Sequence, residues 1–298
     1  MFNFQVPASA LIWIVLTTAT VQADDILIQP PRSAADASHS YYEDLLKTLH
    51  PENRSIVRLE RTVTQDRGLE LLATGDMTIA WCGTTSLREN QYRPVRVPLF
   101  AGLLGIRVPV IRKADKTRFE AIQREEELQA LVACQGDQWP DSNILERNGY
   151  KVERVAQFDH MYRMLKGGRC DYFPRSVTEV YGELETGNKD DLMAYEGILL
   201  SYPFPMYFFT TQKEETLAAI LEQRLYEFAK SGKLLNYMKA HPSTRQAFPL
   251  SRFKNASVFY LNNPDLPTET PLGDSALWLM PMEAVKPGPQ HAFSPSSD

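Results

Sequence analysis

The residues able to do chemistry stand at the ends of apolar runs. The stretch CDYFPRS (170–176) is a short apolar burst that stops at a proline and then presents Arg175. A guanidinium at the tip of a buried strand suits a carboxylate or phosphate, which it grips through two parallel N–H donors. The same group can instead serve structure by pairing with an internal acid such as Asp137 or Glu179. Trp81 ends one apolar run and Trp139 follows another. Either can stack on a flat ligand face, although core packing is the commoner fate of a tryptophan. Asp137 and Gln138 precede a helix that opens near Pro140 and can reach the same space. His39 and His160 read as surface residues. There is no G-x-S-x-G, no HExxH, no paired-carboxylate signature and no glycine-rich phosphate loop, so no motif marks an enzyme.

The three cysteines are Cys82, Cys134 and Cys170. An odd count leaves at least one free thiol in an oxidising compartment. Cys134 and Cys170 could pair, because both fall in one candidate lobe on strands that can be neighbours. The alternative is three small buried apolar residues. No CxxC or Cys/His spacing suggests a metal site, and no cofactor is expected.

These residues must be positioned by the elements around them. DILIQPP (25–31) reads as a strand stopped by prolines. SYYEDLLKTLHP (40–51) has apolar residues at helical spacing, and SIVRLER (55–61) alternates like a strand. TQDRGLELLATG (64–75) reads as a helix ended by Gly75. MTIAWCG (77–83) is continuously apolar, as in a strand covered on both faces. The alternation predicts an open, mostly parallel α/β sheet.

RPVRVPLFAGLLGIRVPVIRK (93–113) then breaks the rhythm as a long extended run. Beyond it the spacing predicts helix over 116–131, strand over 132–136, helix over 140–149 and strand over 151–156. A helix over 159–168 follows with Asp159 as N-cap, then strand over 170–173 and helix over 177–185. GILLSYPFPMYFFTT (197–211) is a second extended run whose prolines suit a crossing. Residues 214–241 form the strongest helical region, broken at SGK. The tail from about 250 is rich in Pro and Ser.

Two extended runs imply that the chain leaves one lobe, builds a second and returns. The first lobe is expected over 24–106 plus 210–285, the second over 107–207, with 286–298 disordered. Arg107 and Tyr207 lie at the two crossings and are expected on the hinge side of the cleft. A cleft at the C-terminal ends of the strands is where such sheets bind ligands.

Residues 1–23 end in an apolar core and Val21-Gln22-Ala23, which reads as a secretory leader cut after Ala23. The apolar run is short of the roughly 20 residues of a spanning helix. The formal net charge is −5, with no Lys/Arg cluster, which argues against nucleic acid and anionic membrane surfaces as partners.

In order and spacing these segments resemble the family 3 solute-binding proteins, bacterial periplasmic receptors with two lobes. The resemblance rests on the leader, on GLELLATGDMTIAWCGTT followed by TSLR (85–88), on MLKGGRCDYF, and on LSYPFPMYFFTTQKEETLAAIL with RLYEFAKSGKL. It covers roughly residues 24 to 250. The segments PVRVPLFAGLLGIRVPVIRK, WPDSNILERNGY, CDYFPRS and NNPDLP resemble a subgroup of that family whose ligand is not settled. The resemblance implies a periplasmic-binding-protein-like α/β fold of type II, two lobes joined by two hinge crossings. It also implies a monomeric periplasmic receptor that serves an ABC importer or a membrane sensor kinase.

In the amino-acid receptors of that family, the Thr and Arg of T-x-x-R hold a ligand carboxylate. The resemblance carries that role to Thr85 and Arg88. An acidic residue that holds the ligand ammonium stands there where this chain has Arg175 or Ser176. The sign of the site is therefore reversed, and an acidic ligand is expected. A degenerate receptor with its cleft packed shut is the first alternative. An elimination enzyme, a lyase or dehydratase using Asp137 or Asp159, is the second.

Overall fold

Helix and strand boundaries follow local chemistry. The computed structural model describes residues 25–31, 36, 38–49, 54–60, 64–186 and 188–279. The expected leader over 1–23 and the tail over 286–298 lie outside the described residues. The first apolar run is β1 (Ile26–Ile28). It is followed by α1 (His39–Leu49), which turns Tyr41, Leu45, Leu46 and Leu49 inward, and by β2 (Ile56–Arg58). In α2 (Gln65–Thr74) the Thr64 hydroxyl accepts the Arg67 N–H at the start. Gly75 ends the helix at φ 85°, a region glycine adopts freely. Every residue of β3 (Ile79–Gly83) is buried. Next come α3 (Ser86–Gln91) and β4 (Arg93–Val95).

The second set of elements begins with β5 (Ile106–Arg112). The single helix expected over 116–131 is two short ones, α4 (Lys116–Glu120) and α5 (Glu125–Gln129). The cause is Glu127, whose carboxylate accepts the Gln123 and Arg124 N–H groups and starts a new helix. Then follow β6 (Val132–Gly136), α6 (Pro140–Arg147), β7 (Lys151–Val155) and α7 (Phe158–Lys166). Asp159 lies inside α7, and Gln157 is its N-cap. The set ends with β8 (Tyr172–Ser176), α8 (Val180–Glu185), β9 (Leu192–Ala194) and β10 (Ile198–Ser201). After it come β11 (Met206–Thr210), α9 (Glu215–Lys230), α10 (Lys233–Ala240) and β12 (Ser257–Tyr260).

The strands form two sheets. The first has the order β2-β1-β3-β11-β4, with β1 parallel to β2 and β3, and β11 antiparallel to β3 and β4. The second runs β12-β10-β5-β8-β6-β7, with β9 beside β5. The first two passages between the sheets run over 96–105 and over 202–205, the latter reading Tyr-Pro-Phe-Pro. Both passages fall inside the two extended runs. Helices of α/β units pack on the faces, and one cluster of buried side chains takes in strands of both sheets.

A third crossing was not expected. Residues 210–285 were assigned to the first lobe, but β12 pairs in parallel with β10 in the second sheet. Its four residues alternate weakly in polarity, and only the open edge of β10 gives them a partner. From β12 the chain returns across both lobes. Asn148, at the end of α6, donates to the Asn262 carbonyl at 2.8 Å and accepts the Asn262 N–H at 3.0 Å. The Ser86 N–H donates to the Asp265 carbonyl at 3.0 Å, and the Leu279 N–H to that of Ala101 at 3.0 Å. This segment fastens α6 of the second lobe to α3 of the first. Cys134 and Cys170, on β6 and just before β8, are joined by a disulfide, while Cys82 is buried and free.

Candidate functional site

The crevice between the sheets is walled at its centre by charges that satisfy one another. Arg175 on β8 is 2 % exposed. Its Nε donates to Glu183 Oε2 at 2.8 Å, and its Nη2 to Glu183 Oε1 at 2.6 Å and Glu179 Oε2 at 2.9 Å. The guanidinium lies 5.0 Å from the Trp139 ring centre and 5.1 Å from that of Phe173. Burial disfavours its charge, but Glu179 and Glu183 outweigh burial and hold its pKa well above the ordinary value. Tyr162 Oη donates to Glu183 Oε2 at 2.6 Å.

Arg107 on β5 extends the network. Its Nη2 pairs with Asp141 Oδ1 at 2.5 Å, its Nε donates to Tyr202 Oη at 3.0 Å, and its Nη1 lies 3.8 Å from Glu179. Tyr202 Oη donates to Asp141 at 2.6 Å. Lys189, whose Nζ donates to the Thr186 carbonyl at 2.8 Å and lies 4.2 Å from the Tyr162 ring centre, is a third buried cation beside Arg107 and Arg175, against the carboxylates Asp141, Glu179 and Glu183. The space left between Gly83, Met206, Arg107, Trp139 and Arg175 is about 40 Å³, on the order of one water's share of about 30 Å³. Of the two readings of Arg175, a grip on an acidic ligand or a pairing with an internal acid such as Glu179, the contacts seen are those of the second, to Glu179 and Glu183. Arg107 borders the same crevice and pairs with Asp141.

The other expected residues divide. Ser176 Oγ donates to the Leu103 carbonyl at 3.1 Å and meets Thr178 Oγ1 at 2.8 Å, tying the first crossing to β8. Thr85 caps α3 by accepting the Arg88 N–H at 3.2 Å. Arg88 is buried, donating to the Gly83 carbonyl at 2.6 Å and to Gln65 Oε1 at 3.0 Å. Trp81 is core rather than cleft, stacked on Tyr42 at 4.8 Å with Phe208 at its edge. Tyr207 is core as well, fully buried with Phe209 and Tyr92. The face of the sheet each side chain takes decides this, and a continuously apolar strand does not reveal it. His39 is buried too, its ring nitrogen 2.8 Å from the Gln29 carbonyl, whereas His160 is exposed.

Asp137 and Trp139 do border open space. A cavity of about 530 Å³ lies between the lobes. On the first-lobe side Thr64, Gln65 and Asp66, at the start of α2, form its wall. Facing them are Asp137, Gln138 and Trp139 after β6, and Phe158, Asp159 and Arg163 on α7. Trp139 can lie flat here because residue 136 is glycine, where a Cβ would come within 2.4 Å of the indole. Burial raises the pKa of Asp66, Arg88 offsets part of this, and Glu70 and Asp137 add to it. The cavity's ionisable side chains are Asp66, Asp137 and Asp159 against Arg163, an excess of negative charge. Gln65, Asp66, Phe158 and Arg163 were missed from sequence. Thr64-Gln65-Asp66 carried a usable signal, since a capped helix start after a strand faces the cleft in such sheets. Among the described residues no group of His, Cys, Asp and Glu is placed to hold a metal ion.

Comparison with solved structures bears on the fold. The chain matches a mutant of ArgBP from T. maritima at 18% identity and TM-score 0.54, covering 72% of this chain and 94% of that one. It matches a putative ABC-transporter binding component from Wolinella succinogenes, complexed with lysine, at 10% identity and TM-score 0.56, covering 73% and 95%. A third match is the periplasmic VFT2 domain of Bordetella pertussis BvgS, at 14% identity and TM-score 0.56, covering 72% and 92%. No family model matches the chain, and no curated protein matches it. The fold is the two-lobed α/β fold of the type II periplasmic binding proteins.

Proposed function

We propose that this protein is an extracytoplasmic solute receptor. Its lobes close on a small polar ligand in the 530 Å³ interlobe cavity, and the closed form is presented to an ABC importer or a sensor kinase. The observation that carries the reading is that both lobes wall one cavity, with Asp66 on one side and Asp137 and Trp139 on the other. A ligand touching both walls favours the closed arrangement by its differential contacts. The volume falls in the range of about 300–1,000 Å³ usual for ligand pockets. The names of the matched structures describe binding proteins, which fits a receptor rather than an enzyme.

The acidic ligand expected at Arg175 loses its support, because that guanidinium is already paired. Asp66, Asp137 and Asp159 favour a ligand with positive or hydrogen-bond-donating groups, with Trp139 and Phe158 offering flat apolar area. One observation favours a second reading. The self-paired centre of the crevice, with about 40 Å³ left open, is what a receptor that has ceased to bind would have.

Thermal melts against amino acids, diamines, guanidines, dicarboxylates, phosphates and short peptides separate the two. A rise in Tm that disappears in Asp137→Asn supports capture in the cavity. Dicarboxylates raising the Tm would restore the acidic ligand. A flat panel with well-folded protein favours the degenerate receptor.

A further inference from the structure

We propose that residues 261–279 are a strap that holds the two lobes closed without a ligand, so that the interlobe cavity opens only when Asp265 lets go of Ser86. The proposal rests on the receptor reading only for what that opening admits. Just after β12 the strap is fixed to the second lobe. The Leu261 N–H donates to the Ser201 carbonyl at 2.9 Å, and Asn262 is bonded to Asn148. From Thr270 onward it is fixed to the first. Pro271 and Leu277 border a groove with β4 and α9, and Thr270, Leu277 and Trp278 are buried. The bridge between is short, 264–269, and Pro264 and Pro267 restrict its backbone.

Asp265 lies within that bridge and is held from both sides. Its carbonyl accepts the Ser86 N–H of α3 at 3.0 Å, while its carboxylate lies 3.6 Å from the Arg147 guanidinium of α6. The strap also reaches both of the other passages between the lobes. Asn263 Nδ2 donates to the Pro203 carbonyl at 2.9 Å in the second passage. In the first, the Leu279 N–H donates to the Ala101 carbonyl at 3.0 Å. Ala101 has φ 45°, a left-handed conformation that is unfavourable for a residue with a Cβ and is kept only where its surroundings hold it. Two-lobed receptors move by changing φ and ψ in such passages. Bonds from one segment to both passages and both lobes oppose that change together, although each alone is weak. In a receptor with two passages the ligand supplies the contacts that favour closure; here the chain supplies part of them.

Spin labels on Glu70→Cys of α2 and His160→Cys of α7 read the lobe separation by double electron–electron resonance in ligand-free protein. Both positions are exposed, on helices that wall the cavity from opposite sides, and Cys82 is buried away from the label. One short distance is expected. Ser86→Pro removes the N–H donor and spares α3, because Ser86 is its first residue and Thr85 before it is already extended, at φ −147°. Combined with Asp265→Ala, it brings in a longer distance whose share rises at least about tenfold from the small fraction usual for a minor state. Asn148→Ala, which frees the strap from the second lobe instead, shifts the distribution the same way. A broad distribution in the parent protein overturns the strap, as does a short distance unchanged in both variants. Thermal melts against the ligand panel are independent. Lobes that open in these variants while no ligand raises the Tm leave the strap standing and refute capture in the cavity.

Discussion

Replacing Arg175 by alanine separates a structural guanidinium from a ligand-binding one. The side chain is 2 % exposed and makes three charge-assisted hydrogen bonds to Glu179 and Glu183, themselves 5 % and 1 % exposed. Removing it leaves two buried carboxylates facing a void beside Trp139 and Phe173. Breaking a buried pair in this way costs about 3–5 kcal/mol, and the lost packing adds to the cavity left behind. At about 2–4 °C per kcal/mol for a chain approaching this size, Tm falls by about 6–20 °C. Circular-dichroism melts measure it. Arg175→Met combined with Glu179→Gln and Glu183→Gln removes the stranded charges and recovers at least half of the loss. If Arg175→Ala instead melts within about 2 °C of the parent while ligand response vanishes, the guanidinium serves a ligand and the structural argument is wrong.

Three more perturbations follow from the same geometry. Asn148→Ala removes both hydrogen bonds to Asn262, worth about 1–2 kcal/mol together. Limited proteolysis within 261–279 should accelerate, and an unchanged rate shows that the returning segment does not depend on this clasp. The Cys134–Cys170 bridge spans 36 residues, so its removal in Cys134→Ala/Cys170→Ala costs up to about 4 kcal/mol by chain entropy, read by urea unfolding. Equal midpoints would refute that. Burial lowers the His241 pKa, with Asp44 pulling it partly back, and Nδ1 accepts the Ser243 N–H. The unfolded chain therefore protonates first, and stability is lost as pH falls from the ordinary imidazole value of about 6.5 toward the folded one. His241→Gln should flatten that limb, and an unaltered pH profile would show that other groups control it.

Much of the architecture was legible because it is local. Thr64 and Gly75 bracket α2 through contacts within a turn. The unbroken apolar run of β3 reports burial on both faces. The prolines of the Tyr-Pro-Phe-Pro stretch marked a crossing, although Pro109 and Pro174 pair inside the second sheet. The order of these signals also carried the two-lobed layout. Less was legible where a residue's role depends on who covers it. Glu179, four residues from Arg175, was among the acids weighed, but Glu183, one helical turn further, was not.

Hydrophobic period and breaker residues thus determined, from sequence alone, that this chain alternates strands and helices, and they marked the first two passages between two sheets. Only the tertiary structure decided that Arg107 meets Asp141 and Tyr202, 34 and 95 residues away. It alone placed Trp81 in the core and seated β12 beside β10. The physical reason is that side-chain periodicity says which residues share a face, whereas the partner of that face, and of any buried charge, is chosen by contacts distant in the chain.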